Sequence, residues 1–299
     1  MNTERLCPIC QSHSYLPFAD ERIEPGRVGA LTYASRKTPE FMCLRLVRCT
    51  VCDLVYAPSP PDEDFLQSAY SGADFDSGPE AIAAAHTYAK ALAPYIGHLA
   101  KNSAAVDVGA GSGPLLPWLQ QFGFSTVIGI EPSRAAINAA DPEVRPLLRE
   151  GMFSAKLLED VMPSLVCSFM TLEHLRSPGE FADTAFQLLK PGGAFAVVVH
   201  DWRAPLNRLL GLRSPIIDVE HMQLFSPNSL RYLLEKTGFE IKALHSIRNA
   251  YSLRYWLRLT PFPSAIKKIL LRILEILGLA DRQLAFGVGN MLAVGLKPR

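Results

Sequence analysis

Five residues near the middle of the chain are spaced to bind a nucleotide-like ligand: Asp107, Gly109, Gly111, Gly113 and Glu131. The glycines follow an apolar run, and glycine permits positive φ and lets backbone N–H groups approach a ligand that a Cβ would hold off. Asp107 adds a carboxylate at the end of that run. Glu131 ends the next apolar run, where an acidic residue can accept hydrogen bonds from ribose hydroxyls. The spacing therefore predicts a cofactor site.

Four cysteines form a second group with defined chemistry. Cys7 and Cys10 make one C-x-x-C pair, and Cys49 and Cys52 make another. Four thiolates can surround one tetrahedral zinc ion. In a reducing compartment disulfides are disfavoured, and a redox C-x-x-C does not ordinarily occur twice. The pattern therefore predicts a structural zinc ribbon over residues 1–60.

The elements that position the glycine turn alternate between short apolar runs and helical patterns. This alternation is typical of an α/β domain with a parallel sheet. A helix is predicted at 80–99 before the glycine turn and another at 181–189 after it. The predicted strands lie at 104–108, 125–130, 144–148, 165–170, 194–199, 239–247 and 290–296.

The glycine turn and Glu131 resemble the first two motifs of the class I S-adenosylmethionine-dependent methyltransferases. Dinucleotide-dependent dehydrogenases carry G-x-G-x-x-G instead, whereas residues 109–113 read G-x-G-x-G. The L-E-H segment at 172–174 and the K-P-G-G turn at 190–193 are also typical of the methyltransferases. The resemblance implies a Rossmann-like seven-stranded sheet with helices on both faces, preceded here by the small zinc ribbon.

The same resemblance assigns roles around S-adenosylmethionine, which would lie across the carboxyl ends of the first strands. Gly109, Gly111 and Gly113 would contact the methionine portion, and Asp107 would orient its amino group. Glu131 would hold the ribose hydroxyls.

Three further residues complete the expected cofactor site. Met152 and Phe153 follow the third strand and would sandwich the adenine ring, although ordinary core packing explains them equally well. Thr171 would face the methionine end.

A zinc ribbon before a methyltransferase domain resembles the deoxysugar C-methyltransferases. In that group a glutamate–histidine pair lies in the acceptor pocket with the histidine as base, and Glu220-His221 matches it. Imidazole can remove a proton near neutral pH, and Glu220 can orient the ring. However, Asp218 replaces the group's tyrosine, and its large C-terminal domain has no counterpart in this sequence. These departures leave two questions open: whether the acceptor atom is carbon and whether the substrate is a sugar. A role for His221 as an ordinary loop residue is also an alternative.

Composition limits the range of functions. The 299 residues are 48% hydrophobic, enough for a sizeable core and more than one unit. We predict a zinc ribbon at 1–60, a helical connector at 61–100 and the methyltransferase domain at 101–299. The net charge of +1 shows no bias toward nucleic acid. A secretory signal and an apolar run of about 18 residues are both missing, so we expect a cytoplasmic protein without a transmembrane segment.

A helical cover is predicted at about 251–280. Within it, residues 266–277 carry an apolar stripe at helical spacing opposite Lys267, Lys268, Arg272 and Glu275. Such a stripe usually covers the protein's own core or contacts a partner subunit. A lid over an apolar acceptor and a membrane-surface contact are the alternatives.

The sequence as a whole favours transfer of a methyl group from S-adenosylmethionine to an oxygen or carbon of a small metabolite, such as a sugar or a natural-product intermediate. Structural zinc would be remote from that chemistry. Two alternatives stay open. One is a ribosomal-RNA methyltransferase, and the other is a non-catalytic protein that binds S-adenosylmethionine and a partner protein.

Overall fold

A computed structural model describes residues 4–29, 32–33, 39–75, 78–100 and 102–299. The first part is a small antiparallel sheet whose second turn carries Cys49 and Cys52. Its strands are β1 (Tyr15–Ala19), β2 (Leu46–Cys49) and β3 (Val55–Tyr56).

Two helices follow, in the range predicted as a connector. Helix α1 (Glu63–Ser71) begins after Asp62, whose side chain accepts a hydrogen bond from the backbone N–H of Phe65. Helix α2 (Gly78–Ile96) buries a row of alanines together with Tyr88 and Leu92. These small side chains let the helix approach the large sheet closely.

Apart from one short strand that joins the small sheet, the strands of the rest of the described chain form one seven-stranded sheet with helices on both faces. Strands β4 to β8 run parallel, and β10 and β11 are antiparallel at one edge. The order is β10-β11-β8-β7-β4-β5-β6, which confirms the predicted Rossmann-like fold class. The elements are β4 (Ala104–Val108), α3 (Leu116–Gln121), β5 (Thr126–Glu131), α4 (Arg134–Asn138), β6 (Leu148–Glu150), β7 (Pro163–Phe169), α5 (Pro178–Leu188), β8 (Ala194–His200), α6 (Pro205–Leu210), β9 (Gln223–Leu224), α7 (Pro227–Thr237), β10 (Glu240–Ser252), α8 (Leu253–Leu259), α9 (Ser264–Ile276) and β11 (Gln283–Leu296).

Apolar side chains fill both sides of this sheet. Helices α5 and α7 pack on one face, and α2 and α3 pack on the other. The central strands β4, β7 and β8 are buried along nearly their whole length. That burial explains their continuous apolar sequence, which is typical of parallel strands covered on two faces.

Three strands differ from the prediction by more than two residues at one end. The third strand is 148–150 rather than 144–148, because Pro146 lacks an N–H and lies in a 3-10 turn at 145–147. Strand β10 continues to Ser252 and β11 begins at Gln283, since the two strands pair with each other well beyond the sheet. The predicted cover therefore begins at Leu253, with α8 and α9 at the end of this long hairpin.

The small sheet is continuous with the larger domain. Strand β9, from between α6 and α7, pairs with β3 through Val55–Leu224 and Tyr56–Gln223. Cys7 and Ile9 share a buried cluster with Phe225 of the larger domain. The N-terminal unit and the larger domain therefore form one packed body, and the division at residue 60 stays a prediction.

Candidate active site

The glycine turn after β4 lies at the carboxyl end of the sheet. The backbone N–H groups of Gly109 and Ala110 both donate to the carbonyl of Ile130, at 2.9 and 3.1 Å, which ties the turn to the end of β5. Gly109 has φ +75°, and a Cβ there would lie 2.3 Å from Thr171 Oγ1. Gly111 has φ +58° with open space where its Cβ would be. The turn therefore presents bare backbone to the space in front of Gly111.

Gly113 has a different role in the structure. Its φ is +75°, and a Cβ there would lie 2.5 Å from Val144 Cγ1. It does not line the cavity in front of the turn, whereas Gly109 and Gly111 do. Gly113 therefore lets the turn pack against the segment before β6, and its predicted cofactor contact has no support in this arrangement.

Two carboxylates flank the turn. Glu131 accepts hydrogen bonds from the N–H of Gly111 at 2.7 Å and from the N–H of Ser133 at 2.8 Å. Burial raises the pKa of Glu131, and these two bonds partly offset that effect. Burial, with a smaller contribution from the Glu131 charge, raises the pKa of Asp107 to about 8. The site therefore favours a ligand that brings positive charge to Asp107.

One cavity of about 300 Å³ joins most of the predicted site residues. Phe153 is held at its edge by the ring of Phe181, with centroids 4.7 Å apart. Thr171 Oγ1 lies 3.2 Å from the carbonyl oxygens of both Val108 and Phe169, which share its one hydroxyl hydrogen, and so it stands against the glycine turn. The predicted residues that line the cavity are Asp107, Gly109, Gly111, Glu131, Met152, Phe153, Thr171, Glu220 and His221.

The cavity wall also contains three histidines, His174, His200 and His221. His221 Nδ1 lies 2.9 Å from the carbonyl of Ile216. Because a carbonyl only accepts, Nδ1 carries the hydrogen, and Nε2 of the neutral ring is an acceptor. The His221 ring centroid is 4.8 Å from that of His174 and 5.4 Å from that of His200.

Glu220 contributes a carboxylate to the same wall. Its Oε2 lies 3.6 Å from Nδ1 of His174. The sequence predicted that Glu220 orients His221. In the structure the Ile216 carbonyl also orients the His221 ring. The Glu220 carboxylate has His174 as a neighbour. The side chains of this wall are mostly buried, with His221 8% and Glu220 9% exposed.

The cavity wall also contains aromatic residues outside the predicted cofactor and catalytic residues. Tyr33 comes from the N-terminal unit and Tyr70 from α1, and their rings pack edge to face with centroids 5.5 Å apart. Tyr255 and Trp256 of α8 form another part of the wall. No motif marks Tyr33 or Tyr70, because only the folded chain brings them to the cavity. Tyr255 and Trp256 lie in the predicted cover, for which the sequence left a lid over an apolar acceptor as an alternative.

The four predicted zinc ligands lie together at the two turns of the N-terminal unit. Their sulfur atoms all fall within 4.8 Å of one another, and the Cys7–Cys52 and Cys10–Cys49 pairs are 3.4 Å apart. A tetrahedral site with Zn–S bonds of about 2.3 Å needs sulfurs slightly further apart than this. The cluster therefore fits one metal ion after a small expansion.

The two cysteine turns have the same backbone form. Gln11 and Asp53, the residues directly after each C-x-x-C pair, have φ of +60° and +68°. Their N–H groups donate to the carbonyls of Cys7 and Cys49 at 2.9 and 3.2 Å. Each turn thus curls around its pair of sulfurs, so the four thiols converge on one point.

The comparison with protein families matches the region that builds this cavity. A family model described as "Methyltransferase domain" covers residues 81–244, more than half of the chain. The chain belongs to this methyltransferase domain family. The matched region of the methyltransferase domain runs from α2 into β10 and includes the glycine turn and Glu220-His221.

Curated relatives are similar over a shorter stretch. A protein of Mycolicibacterium smegmatis named as an S-adenosylmethionine-dependent methyltransferase is 30% identical over 122 residues, 39% of this chain and 44% of the relative. Ubiquinone biosynthesis O-methyltransferase of Caulobacter vibrioides is 34% identical over 111 residues, 35% of this chain and 41% of the relative. The match therefore spans less than half the length of either relative.

Solved structures share the fold of the methyltransferase domain. The YcgJ protein from Bacillus subtilis superposes with a TM-score of 0.50 at 16% identity, covering 72% of this chain and 99% of that one. At this identity the likeness concerns the fold alone.

Proposed function

We propose that the chain transfers the methyl group of S-adenosylmethionine to a hydroxyl group of a small molecule. The observation that carries this proposal is the single cavity that joins the glycine turn to the His221 ring. The Caulobacter vibrioides relative named as an O-methyltransferase supports oxygen as the acceptor atom. Sugars and natural-product intermediates remain the acceptor classes that we favour.

The residues of the turn would hold the methyl donor. Asp107 would accept hydrogen bonds from the methionine amino group, and Glu131 would accept them from the ribose once its bond with Gly111 rearranges. Met152 and Phe153 would contact the adenine. S-adenosylmethionine supplies a methyl group already activated by a sulfonium, so the protein needs only to position the acceptor and remove its proton.

His221 would remove that proton. Its Nδ1–H is held by the Ile216 carbonyl, so Nε2 has the lone pair that a base requires. The surrounding wall, with Glu220 beside His174, would stabilise the imidazolium that forms.

Replacing His221 with alanine is expected to lower kcat about 100-fold while the affinity for S-adenosylmethionine is retained, since general-base catalysis contributes about that factor. Steady-state kinetics with an accepted substrate measures kcat. Equilibrium dialysis measures the affinity for S-adenosylmethionine. His98→Ala, at an exposed position in the turn after α2, is the matched control. Unchanged kcat in the His221 variant would remove this residue from the mechanism.

Affinity for S-adenosylmethionine is expected to rise with pH, by about tenfold per pH unit at its steepest, and to level off above about pH 8. In the free protein burial keeps Asp107 protonated below a pKa of about 8. A cationic ligand favours the ionised carboxylate, so binding releases a proton and becomes easier as the pH rises. Calorimetry across this range measures the effect. Asp107→Asn should bind more weakly and without this dependence; a flat profile in the unsubstituted protein would contradict the assignment.

The acceptor class is tested by supplying methyl-labelled S-adenosylmethionine with phenolic metabolites, nucleotide sugars or ribosomal RNA. We expect label in a hydroxyl-bearing small molecule. Label bound to carbon in a sugar would assign the deoxysugar reaction instead, and label in RNA would contradict the proposal.

We propose in addition that Cys7, Cys10, Cys49 and Cys52 hold one structural zinc ion. The convergence of four sulfurs from two turns of the same form supports it. Strand β3 links this unit to β9, two residues after His221. The metal would therefore stabilise the part of the cavity wall that carries Glu220 and His221, without contacting the reacting atoms.

A further inference from the structure

Helix α9 presents an uncovered apolar face. None of its residues is buried, and Ile269, Ile276 and Leu277 are 61, 72 and 61% exposed. The sequence favoured packing of this stripe on the protein's own core or on a partner subunit, with a lid and a membrane-surface contact as the alternatives. Among the apolar residues of the helix, only Leu270, Leu271 and Leu274 are partly buried. The exposed positions form one strip along the helix: Ile266, Ile269, Ile273, Ile276 and Leu277.

The charge beside this strip is positive. Arg272 lies three residues after Ile269 and four before Ile276, so it borders the strip, and Lys268 lies one turn before Arg272. Both side chains are exposed. The single acidic residue of the helix, Glu275, is paired with Arg254 at 2.9 Å. An apolar strip with basic residues along one border complements a surface that is apolar inside and anionic outside.

The strip lies close to the candidate active site. Helix α8 packs against α9, and its residues Tyr255, Trp256 and Leu259 line the cavity. Trp256 also contacts Phe286, which is 45% exposed. The helix that carries the strip therefore packs against the helix that forms part of the cavity wall.

We propose that α9 binds the surface of an anionic phospholipid bilayer. The helix would lie parallel to the membrane, with its isoleucines in the boundary between headgroups and acyl chains and with Lys268 and Arg272 at the phosphates. Among the described residues, no helix has the length and apolar character needed to cross a bilayer. The proposal does not depend on the methyl-transfer reaction, because binding to lipid requires neither donor nor acceptor.

A second copy of the chain is the competing occupant. A two-fold contact through this strip places the same surface on both partners. Lys268 and Arg272 of one copy would then lie near those of the other, with Glu275 already engaged by Arg254 in each. Like charges across such a contact are unfavourable, so the arrangement favours lipid.

Sedimentation of the full chain with vesicles tests the proposal. One set contains phosphatidylcholine alone, and the other adds phosphatidylglycerol as a minority component. We expect binding to the anionic vesicles that weakens as salt is raised, because exposed charges are screened. The double variant Ile269→Glu/Ile273→Glu should lose at least about tenfold in affinity, since the strip can no longer enter the boundary.

Two further variants separate the contribution of the basic residues from that of the apolar strip. Lys268→Glu/Arg272→Glu should lose the preference for anionic vesicles, and Ile82→Glu, at a 60% exposed apolar site on α2, should bind as the unsubstituted chain does. Circular dichroism confirms that each variant is folded. Failure of the unsubstituted chain to bind, or equal binding by the isoleucine variant, would overturn the proposal. A dimer in analytical ultracentrifugation that the isoleucine variant dissociates, without vesicle binding, would assign the strip to a second copy.

Discussion

Replacing Cys49 and Cys52 with serine is expected to remove bound zinc and to lower the midpoint of thermal unfolding by more than about 10 °C. Structural zinc contributes about 10 to 16 kcal/mol to the folding of small zinc-finger peptides. A few kcal/mol of that contribution is enough for a shift of this size in a chain as large as this one. Metal analysis and differential scanning calorimetry measure the two effects.

Loss of the metal is expected to loosen the part of the cavity wall that carries Glu220 and His221 as well as the cysteine turns. Cys49 is the last residue of β2, and the turn after it leads into β3. Strand β3 in turn pairs with β9, and the N–H of Glu40 donates to Asp218 beside Glu220 at 2.8 Å. Losing the metal would therefore loosen the segment that carries His221.

Cys43→Ser is the matched control for zinc loss. Cys43 is fully buried, as are Cys7, Cys49 and Cys52, but its sulfur lies outside the four-cysteine cluster. This variant should keep one zinc ion per chain. A folded protein without metal, or full zinc content in the double variant, would contradict the zinc assignment.

Replacing Gly111 with arginine is expected to weaken binding of S-adenosylmethionine by more than about 100-fold. Gly111 has φ +58°, a conformation that residues with a Cβ adopt at a cost of about 1 kcal/mol or more. Its missing Cβ faces open space in the cavity, which a long side chain would fill. Its N–H also donates to Glu131. The substitution therefore removes the space for a ligand and disturbs the proposed ribose acceptor.

Equilibrium dialysis of labelled S-adenosylmethionine measures this loss. Gly97→Arg is the control, because Gly97 is exposed in the turn after α2 and nothing lies within 4 Å of its Cβ position. Gly97→Arg should bind as the unsubstituted chain does. Undiminished affinity in the Gly111 variant would place the cofactor elsewhere.

Local signals in the sequence predicted the parts of the fold that depend on neighbouring residues. The buried run before Gly109 and the spacing to Glu131 indicated β4, the turn and β5 without knowledge of the rest of the chain. The paired C-x-x-C segments likewise indicated a common cluster, because each turn forms locally around its own two sulfurs.

The remaining features depend on contacts between distant segments. Gly113 has the spacing of a cofactor residue, but Val144 occupies the space beside it. Tyr33, from the N-terminal unit, and Tyr70, from α1, line the cavity although both are distant in sequence from the glycine turn. The apolar stripe of α9 predicts a buried helix, yet the long β10–β11 hairpin carries it away from the core. Periodicity identifies an apolar face and leaves its partner undefined.

The measurement that tests the central claim most directly is the joint yield of S-adenosylhomocysteine and methylated product from labelled S-adenosylmethionine. With a metabolite fraction that contains the acceptor, we predict equal amounts of the two products and a small molecule heavier by one methyl substitution. The Gly111→Arg variant should form neither. Binding of S-adenosylmethionine without formation of either product, across all small-molecule fractions, would contradict the account and leave a protein that only binds the cofactor.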